Sequence, residues 1–523
     1  MKPVKDVLVV GGGTAGWLTA AFLAKLLTGV RISLVESQDI GILGVGEGTF
    51  PSIRGTLSTI GIDEARFLRA ANATFKQGVK FAHWVRPPGT PGPDHYFHPF
   101  NVPSGRAEGF DLLPYWLLGA AGPGVGLADA VTMQKRTADA FRAPKRRNDP
   151  DYRGPMNYAY HFDAARFAAL LCEVGKELGV VHRIATVEHV DLDADGAIAA
   201  VVTKEHGALT ADLYVDCTGF RAVLIGGALG VPFTDLGDTL FVDRALAFQV
   251  PYERPDRPIA SYTISTAQEA GWTWDIGLQQ RRGIGYVFSS RYTDEGRAEE
   301  ILRDYAGARS EGLNPRLLKF RVGYRKTQWV KNCVAVGLSS GFLEPLESSG
   351  IGLIESAAYL IGYLFPRDGN FAPLAQHFNA FMAARYERII DFLKMHYCLS
   401  QRRDTPFWID NKDSATVPAS LQDRLAMWRT RPPHRLDFLT DLEMYLPASW
   451  QFVLYGMEFK TDLRAAEKAY TRFEDAQREF RMIRQMSERA LSDLPLHRDL
   501  VEEALRRESR PVQANVSVPS ASV

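Results

Sequence analysis

The first 36 residues constrain the fold more than any other stretch. Residues 4–10 (VKDVLVV) form a short apolar run rich in β-branched side chains, which predicts a buried parallel strand. Gly11-Gly12-Gly13-Thr14-Ala15-Gly16 follows, then an apolar-rich stretch at 17–27 that predicts a helix, then a second strand at 31–35 closed by Glu36. Gly11 permits a tight turn, the missing side chain at Gly13 lets a pyrophosphate reach the backbone, and Gly16 lets the helix pack closely on the strand. The helix N-terminus would present free N–H groups and a positive dipole end to the phosphates. Glu36, twenty residues beyond Gly16, is placed to accept the hydroxyls of an adenosine ribose. A glycine turn alone is common. Strand, turn, helix, strand and acid in register predict dinucleotide binding.

Two later segments extend this unit. Residues 211–216 (ADLYVD) run into Cys217-Thr218-Gly219, and residues 332–337 (NCVAVG) run into Leu338-Ser339-Ser340-Gly341. Each reads as a strand ending in a small-residue turn, so the sheet is expected to assemble from about 1–80, 155–225 and 320–365. The stretch 81–150, rich in Pro, Gly and aromatics, reads as loop. It is grouped with 226–320, where alternating segments such as 284–289 (IGYVFS) predict an antiparallel sheet beside a substrate. The expected organisation is α/β: a discontinuous domain over 1–365 with that substrate-side insert, a mostly helical part at 366–509, and a disordered tail at 510–523. The charged 464–508 stretch reads as a solvated helix packed on the rest.

Lys+Arg and Asp+Glu are both 61, so no whole-protein field draws in nucleic acid or an acidic membrane. No run of about 18 apolar residues is present, so no spanning helix is expected. The N-terminus lacks a signal-peptide layout, and four scattered cysteines fit a reducing cytoplasm, without a disulfide framework or a metal site. The glycine unit alone does not separate NAD from FAD. Its start at residue 11 and the later strand-plus-turn segments suit a long cofactor lying extended across one domain, as FAD does. Trp272 and Trp274 stand at i, i+2, which puts both indoles on one face of an extended segment. They read either as sheet packing or as a wall that keeps an organic substrate off a flavin.

Residues 11–17 (GGGTAGW), Val45-Gly46-Glu47, Ala73-Thr74-Phe75-Lys76, 271–276 (GWTWDI), 342–350 (FLEPLESSG) and 404–408 (DTPFW) together resemble the flavin-dependent tryptophan halogenases, in order from residue 4 to about 410. The resemblance implies a two-component system. A separate flavin reductase supplies reduced FAD, which with O2 and chloride or bromide gives hypohalous acid. That acid travels inside the protein to an electron-rich aromatic ring. Lys76 matches the essential lysine, as a hydrogen-bond donor to the oxidant or as a haloamine. Glu347 matches the base that takes the ring proton, with Glu344 as its competitor, and Ser348 matches a neighbouring hydroxyl. Ser349 and Gly350 match the halide-binding pair. Many members have Thr at the first of these positions, so the smaller Ser349 implies a roomier pocket and a preference for bromide.

Carried onto matching positions, FAD contacts comprise Gly11, Gly13, Thr14, Ala15, Gly16, Glu36, Val45, Val187, Leu338 and Ile351; the contact at Leu338 would be through backbone. His98 and Phe100 match positions lining the indole pocket, and Trp272 and Trp274 the barrier. Residues 434–458 match poorly the segment that grips the ammonium and carboxylate of free tryptophan. Burying a zwitterion without partners is costly, so free indole or another indole-bearing or phenolic molecule is the expected substrate. Gly277, in place of a proline, is expected to add backbone freedom. A homodimer is compatible with the sequence. The rival reading is a single-component flavin monooxygenase that hydroxylates an aromatic substrate.

Overall fold

The computed structural model describes residues 2–38, 46–103 and 110–506. Val45 and the 510–523 tail lie outside the described residues. The strand Asp6–Val10 occupies the interior of a six-stranded sheet. Arg31–Glu36 and then Val181–Ile184 lie to one side; Leu213–Asp216, Cys333–Ala335 and Trp329–Val330 lie to the other. The pairings are parallel except at the Trp329–Val330 edge. Val7, Leu8, Val9 and Val10 are all buried, as a parallel strand covered on both faces requires.

Helix Thr14–Leu26 leaves the first strand through the glycine turn. Helix Ser349–Tyr363 packs against it. A Cβ at Gly337 would meet both Ala15 and Ile354, and one at Gly362 would meet Leu26 and Leu23. The two helices therefore run in parallel, with both N-termini at the same end of the sheet.

The second large sheet has seven strands, in the order Arg316–Lys319, Arg244–Pro251, Arg281–Phe288, Gly271–Gly277, Thr263–Gln268, Gly78–Ala82 and His95–Pro99. It is antiparallel apart from the Thr263–Gln268 to Gly78–Ala82 pairing. The loop reading of 81–150 is corrected here. That stretch supplies the edge strand His95–Pro99 and the short helices Leu113–Leu117, Leu127–Val131 and Gln134–Asp139. Proline is tolerated at the end of an edge strand, which is how a Pro-rich segment still joins the sheet. A small three-stranded sheet, with Ala159–Asp163 between Gly46–Gly48 and Thr74–Lys76, carries Lys76.

Beyond residue 365 the long helix Ala372–Cys398 is followed by shorter ones. Helix Phe473–Asp493 buries Ala476, Phe480, Ile483 and Ser487, one stripe at helical spacing, and leaves its charged face to solvent. Among the described residues no helix is long and apolar enough to cross a membrane, and the four cysteines are unpaired.

Candidate active site

At the glycine turn, side chains are excluded at Gly11, Gly12 and Gly16 and tolerated at Gly13. A Cβ on Gly11 would stand 2.2 Å from the Cys217 carbonyl oxygen, and one on Gly16 would stand 1.8 Å from the Gly11 carbonyl oxygen. At Gly13 a Cβ would meet nothing within 4 Å. The turn thus packs tightly against its own domain and opens outward at Gly13, which caps helix Thr14–Leu26 without a side-chain hydrogen bond. This is a cradle into which a phosphate-bearing cofactor fits.

Glu36 closes the second strand. Its Oε1 accepts from Trp17 Nε1 at 3.3 Å and from His182 Nε2 at 2.7 Å. Its other oxygen lies over Gly12, where a side chain would overlap it. Cys172 joins Glu36 and His182 within 4.8 Å, but the carboxylate is already engaged by the other two partners. Val187 opens the strand Val187–Leu192, next to Thr186, whose hydroxyl meets that of Ser37. Leu338 lies in the turn Gly337–Ser339, whose Gly337 packs against Ala15, and Ile351 is buried in the first turn of helix Ser349–Tyr363.

The second cluster is assembled from distant segments. Lys76, fully buried, donates from Nζ to Ser348 Oγ at 2.8 Å and to the Thr49 carbonyl at 3.3 Å, with Phe100 5.3 Å away at its ring centroid. Burial lowers its pKa to about 7, against a smaller upward pull from the Glu347 charge. Gly48 makes room for this contact, because a Cβ there would stand 3.0 Å from Ser348 Oγ and 3.1 Å from Lys76 Nζ. Ser348 has φ 59°, a left-handed conformation unusual for serine, and caps helix Ser349–Tyr363. Ser349 is buried at the first helical position. Gly350 is exposed, with open space where a Cβ would be. The unpaired N–H groups of this terminus suit an anion held without a formal counter-charge.

Glu347, adjacent to Ser348, is also fully enclosed. His98 Nδ1 lies 2.9 and 3.0 Å from its two oxygens, and His396 Nε2 lies 3.0 Å from Oε1. Burial alone would raise the carboxyl pKa, but the two imidazoles outweigh it and bring it to about 2. The structure therefore gives His98 a polar role beside Glu347 in addition to its place in the aromatic wall, where its ring lies 5.9 Å from Phe392 and 6.5 Å from Phe100 and Phe452. Phe392 stacks on Tyr445 at 4.0 Å, and Phe50 contacts Phe100 at 5.5 Å.

Glu344, three residues earlier, has a different environment. Trp272 Nε1 donates to its Oε2 at 2.8 Å, and the Tyr397 hydroxyl donates to the same atom at 2.5 Å. Burial raises its pKa to about 7. Glu344 thus anchors the tryptophan wall. Trp272 and Trp274 share one face, with ring centroids 6.4 Å apart, and Trp274 lies flat over Gly285, where any side chain would overlap its indole. Gly277 is explained by space rather than by backbone freedom. A Cβ there would come within 2.8 Å of Ile259 and 3.1 Å of the Tyr252 hydroxyl.

Comparisons with known proteins point the same way. A family profile described as tryptophan halogenase matches residues 6–470. A tryptophan 6-halogenase from Streptomyces toxytricini is 38% identical over 504 residues, which is 90% of this chain and 95% of that protein. The crystal structure of a tryptophan halogenase from Shewanella frigidimarina superposes with a TM-score of 0.92 at 40% identity, covering 97% of this chain and 98% of that one. A flavin-dependent halogenase from Xanthomonas campestris gives 0.88 at 36% identity, covering 98% of this chain and all of its own.

Proposed function

Because this chain belongs to the tryptophan halogenase family, we propose that it halogenates an electron-rich aromatic of the indole type, with Lys76 steering the oxidant and Glu347 taking the ring proton. Gly11, Gly13, Thr14, Ala15, Gly16, Glu36, Val45, Val187, Leu338 and Ile351 would hold FAD, which, reduced by a separate flavin reductase and given O2 and halide, would supply hypohalous acid. The observation that carries the reading is the juxtaposition of a buried amine and a buried carboxylate, joined through Ser348.

At a pKa of about 7, Lys76 is divided between ammonium and free amine near neutral pH. The ammonium donates a hydrogen bond to hypohalous acid; the amine carries the halogen as a haloamine. Ser348 fixes Nζ in place for either route. Electrophilic attack leaves a cationic ring, a far stronger acid than any carboxylic acid. Glu347 therefore needs little basicity. It needs to be ionised, and its depressed pKa of about 2 supplies that. Ser349 and Gly350 hold the halide at the helix terminus, where the serine, one methyl smaller than the family's threonine, favours bromide over chloride.

The acidic groups of 434–458 support a substrate without an amino-acid backbone. Of its four acids, Asp441 is exposed on the surface, while the other three are paired: Asp437 with Arg431, Glu443 with Arg388 and Arg424, and Glu458 with Arg86. Those three are engaged by cations and are poorly placed to hold an ammonium. Free indole, or another indole-bearing or phenolic molecule, fits the aromatic wall better than zwitterionic tryptophan. The test combines protein, FAD, a flavin reductase, NADH, bromide and indole, and reads the product by mass spectrometry. A bromine isotope pair is expected in wild type and its loss in Lys76→Ala, with FAD binding retained in both. A hydroxylated product formed without halide would favour the monooxygenase reading.

A further inference from the structure

His396 has an acceptor against each ring nitrogen. Nδ1 lies 2.9 Å from the carbonyl oxygen of Phe392, and Nε2 lies 3.0 Å from Glu347 Oε1. A half-turn of the ring would place carbons against both oxygens, so this orientation is the one that satisfies them. A backbone carbonyl only accepts, so Nδ1 carries a proton. An ionised carboxylate also only accepts, so whenever Glu347 is ionised Nε2 carries a proton too. The contacts then admit two states: imidazolium beside carboxylate, or neutral imidazole beside carboxylic acid. The third partner selects between them. His98 Nδ1 approaches both Glu347 oxygens, which a carboxylate accommodates and an acid hydroxyl on one of them does not.

His98 is not constrained in the same way. Its Nδ1–H serves the carboxylate, while its Nε2 is buried without a hydrogen-bond partner. Nothing requires a second proton there, and burying one unpartnered is costly. The two imidazoles around one carboxylate are therefore unequal.

We propose that His396 is a standing imidazolium that keeps Glu347 ionised inside the closed site, with His98 as its neutral counterpart. His396 is a positioning residue, acting through Glu347. When the halogenated ring rearomatises, the C–H electron pair returns to the ring and the proton passes to Glu347 Oε2; Oε1 still accepts from the His396 imidazolium in this transient acid, and loss of the proton to solvent restores the resting pair. Other groups sense the same charge. Lys76 and the Tyr96 and Tyr445 hydroxyls lie around Glu347, and Glu344 lies near His396. The inference deepens the reading of Glu347 as base, but the protonation state can be read without turnover.

The experiment is nitrogen NMR on full-length protein labelled with 15N-histidine, with the His396 signals identified by their absence in His396→Gln. Between about pH 6 and 8, where an unperturbed imidazole titrates, both His396 nitrogens are expected to be protonated in wild type and in His98→Gln. In Glu347→Gln, Nε2 is expected to lose its proton. A wild-type His396 with one bare nitrogen would overturn the proposal. Turnover supplies a second readout. His396→Gln restores a hydrogen bond without a charge, so kcat is expected to fall at least about tenfold, with KM for the aromatic little changed and a new acidic limb in the pH profile. An unchanged kcat and pH profile would reduce His396 to packing. Full activity in Glu347→Gln with the NMR result intact would instead sink the base assignment alone.

Discussion

The glycine turn and the Lys76–Glu347 cluster achieve specificity in opposite ways. The turn is local: its shape follows from Gly11, Gly13 and Gly16 within one strand-to-helix passage, and its working groups are backbone N–H. The cluster draws Lys76, His98, Glu347 with Ser348, and His396 from four separated segments, and its working groups are ionisable side chains removed from water. Backbone donors keep the same character wherever they are placed. Side chains do not, and their surroundings drive them apart: burial takes Lys76 down to about 7 and Glu344 up to about 7, while two imidazoles override burial and bring Glu347 to about 2. Two glutamates three residues apart take different roles because one faces two imidazoles and the other faces an indole N–H and a phenol.

The sharpest way to break that contrast is to neutralise each glutamate in turn. Glu347→Gln is expected to lower halogenation about 10²–10⁴-fold, the span of a lost general base, with folding intact. Glu344→Ala is expected to cost less than about tenfold in turnover. It should lower stability by roughly 1–3 kcal/mol, because the Trp272 and Tyr397 donors lose their acceptor. Product formation at saturating reduced FAD, read beside denaturant unfolding, separates the two. Equal kinetic losses would mean that the pair shares one role.

The same contrast explains what could be read from the chain. The turn, its strands and Glu36 were legible because neighbours in sequence are neighbours in space. Lys76 and Glu347 were legible through a resemblance to known sequences; neither is chemically conspicuous alone. His98 came by the same route as a lining residue, and its contact with Glu347 needed the tertiary structure. His396 was missed. It sits in a helix where Phe392, Leu393, Met395 and Tyr397 are all buried. An imidazole amid such a run was a signal that something polar meets it, but periodicity cannot say which carboxylate. The strand His95–Pro99 was hidden by flanking prolines, and the steric demand on Gly277 comes from Ile259 and Tyr252, which no local pattern reveals.

The local region can be tested by paired alanines. At Gly16 a methyl would collide with the Gly11 carbonyl, within the turn itself, so Gly16→Ala is expected to cost about 3 kcal/mol or more. At Gly13 the methyl enters open space, and stability is expected to change by less than about 1 kcal/mol. The methyl would then stand where the cofactor approaches, and FAD affinity should fall about tenfold, equivalent to roughly 1.4 kcal/mol. Thermal unfolding without FAD and flavin fluorescence titration give the two numbers. A Gly13→Ala protein that binds FAD normally would place the pyrophosphate elsewhere.

The smallest expected effect lies where the two regions meet, at the helix terminus that uses backbone donors inside the buried cluster. Ser349→Thr adds one methyl to a buried first-turn residue whose hydroxyl is close to that of Tyr445. In a tight apolar pocket one such group discriminates by about tenfold or more. Here Gly350 leaves open space on the neighbouring side, so a bound ion can shift instead of being expelled. The ratio of brominated to chlorinated product from equimolar halides is therefore expected to fall only a few-fold, with total turnover nearly constant. Mass spectrometry of a single competition reaction measures that ratio directly. A ratio identical to wild type would mean that the open space at Gly350, more than the side chain of Ser349 beside it, sets which ion is accepted.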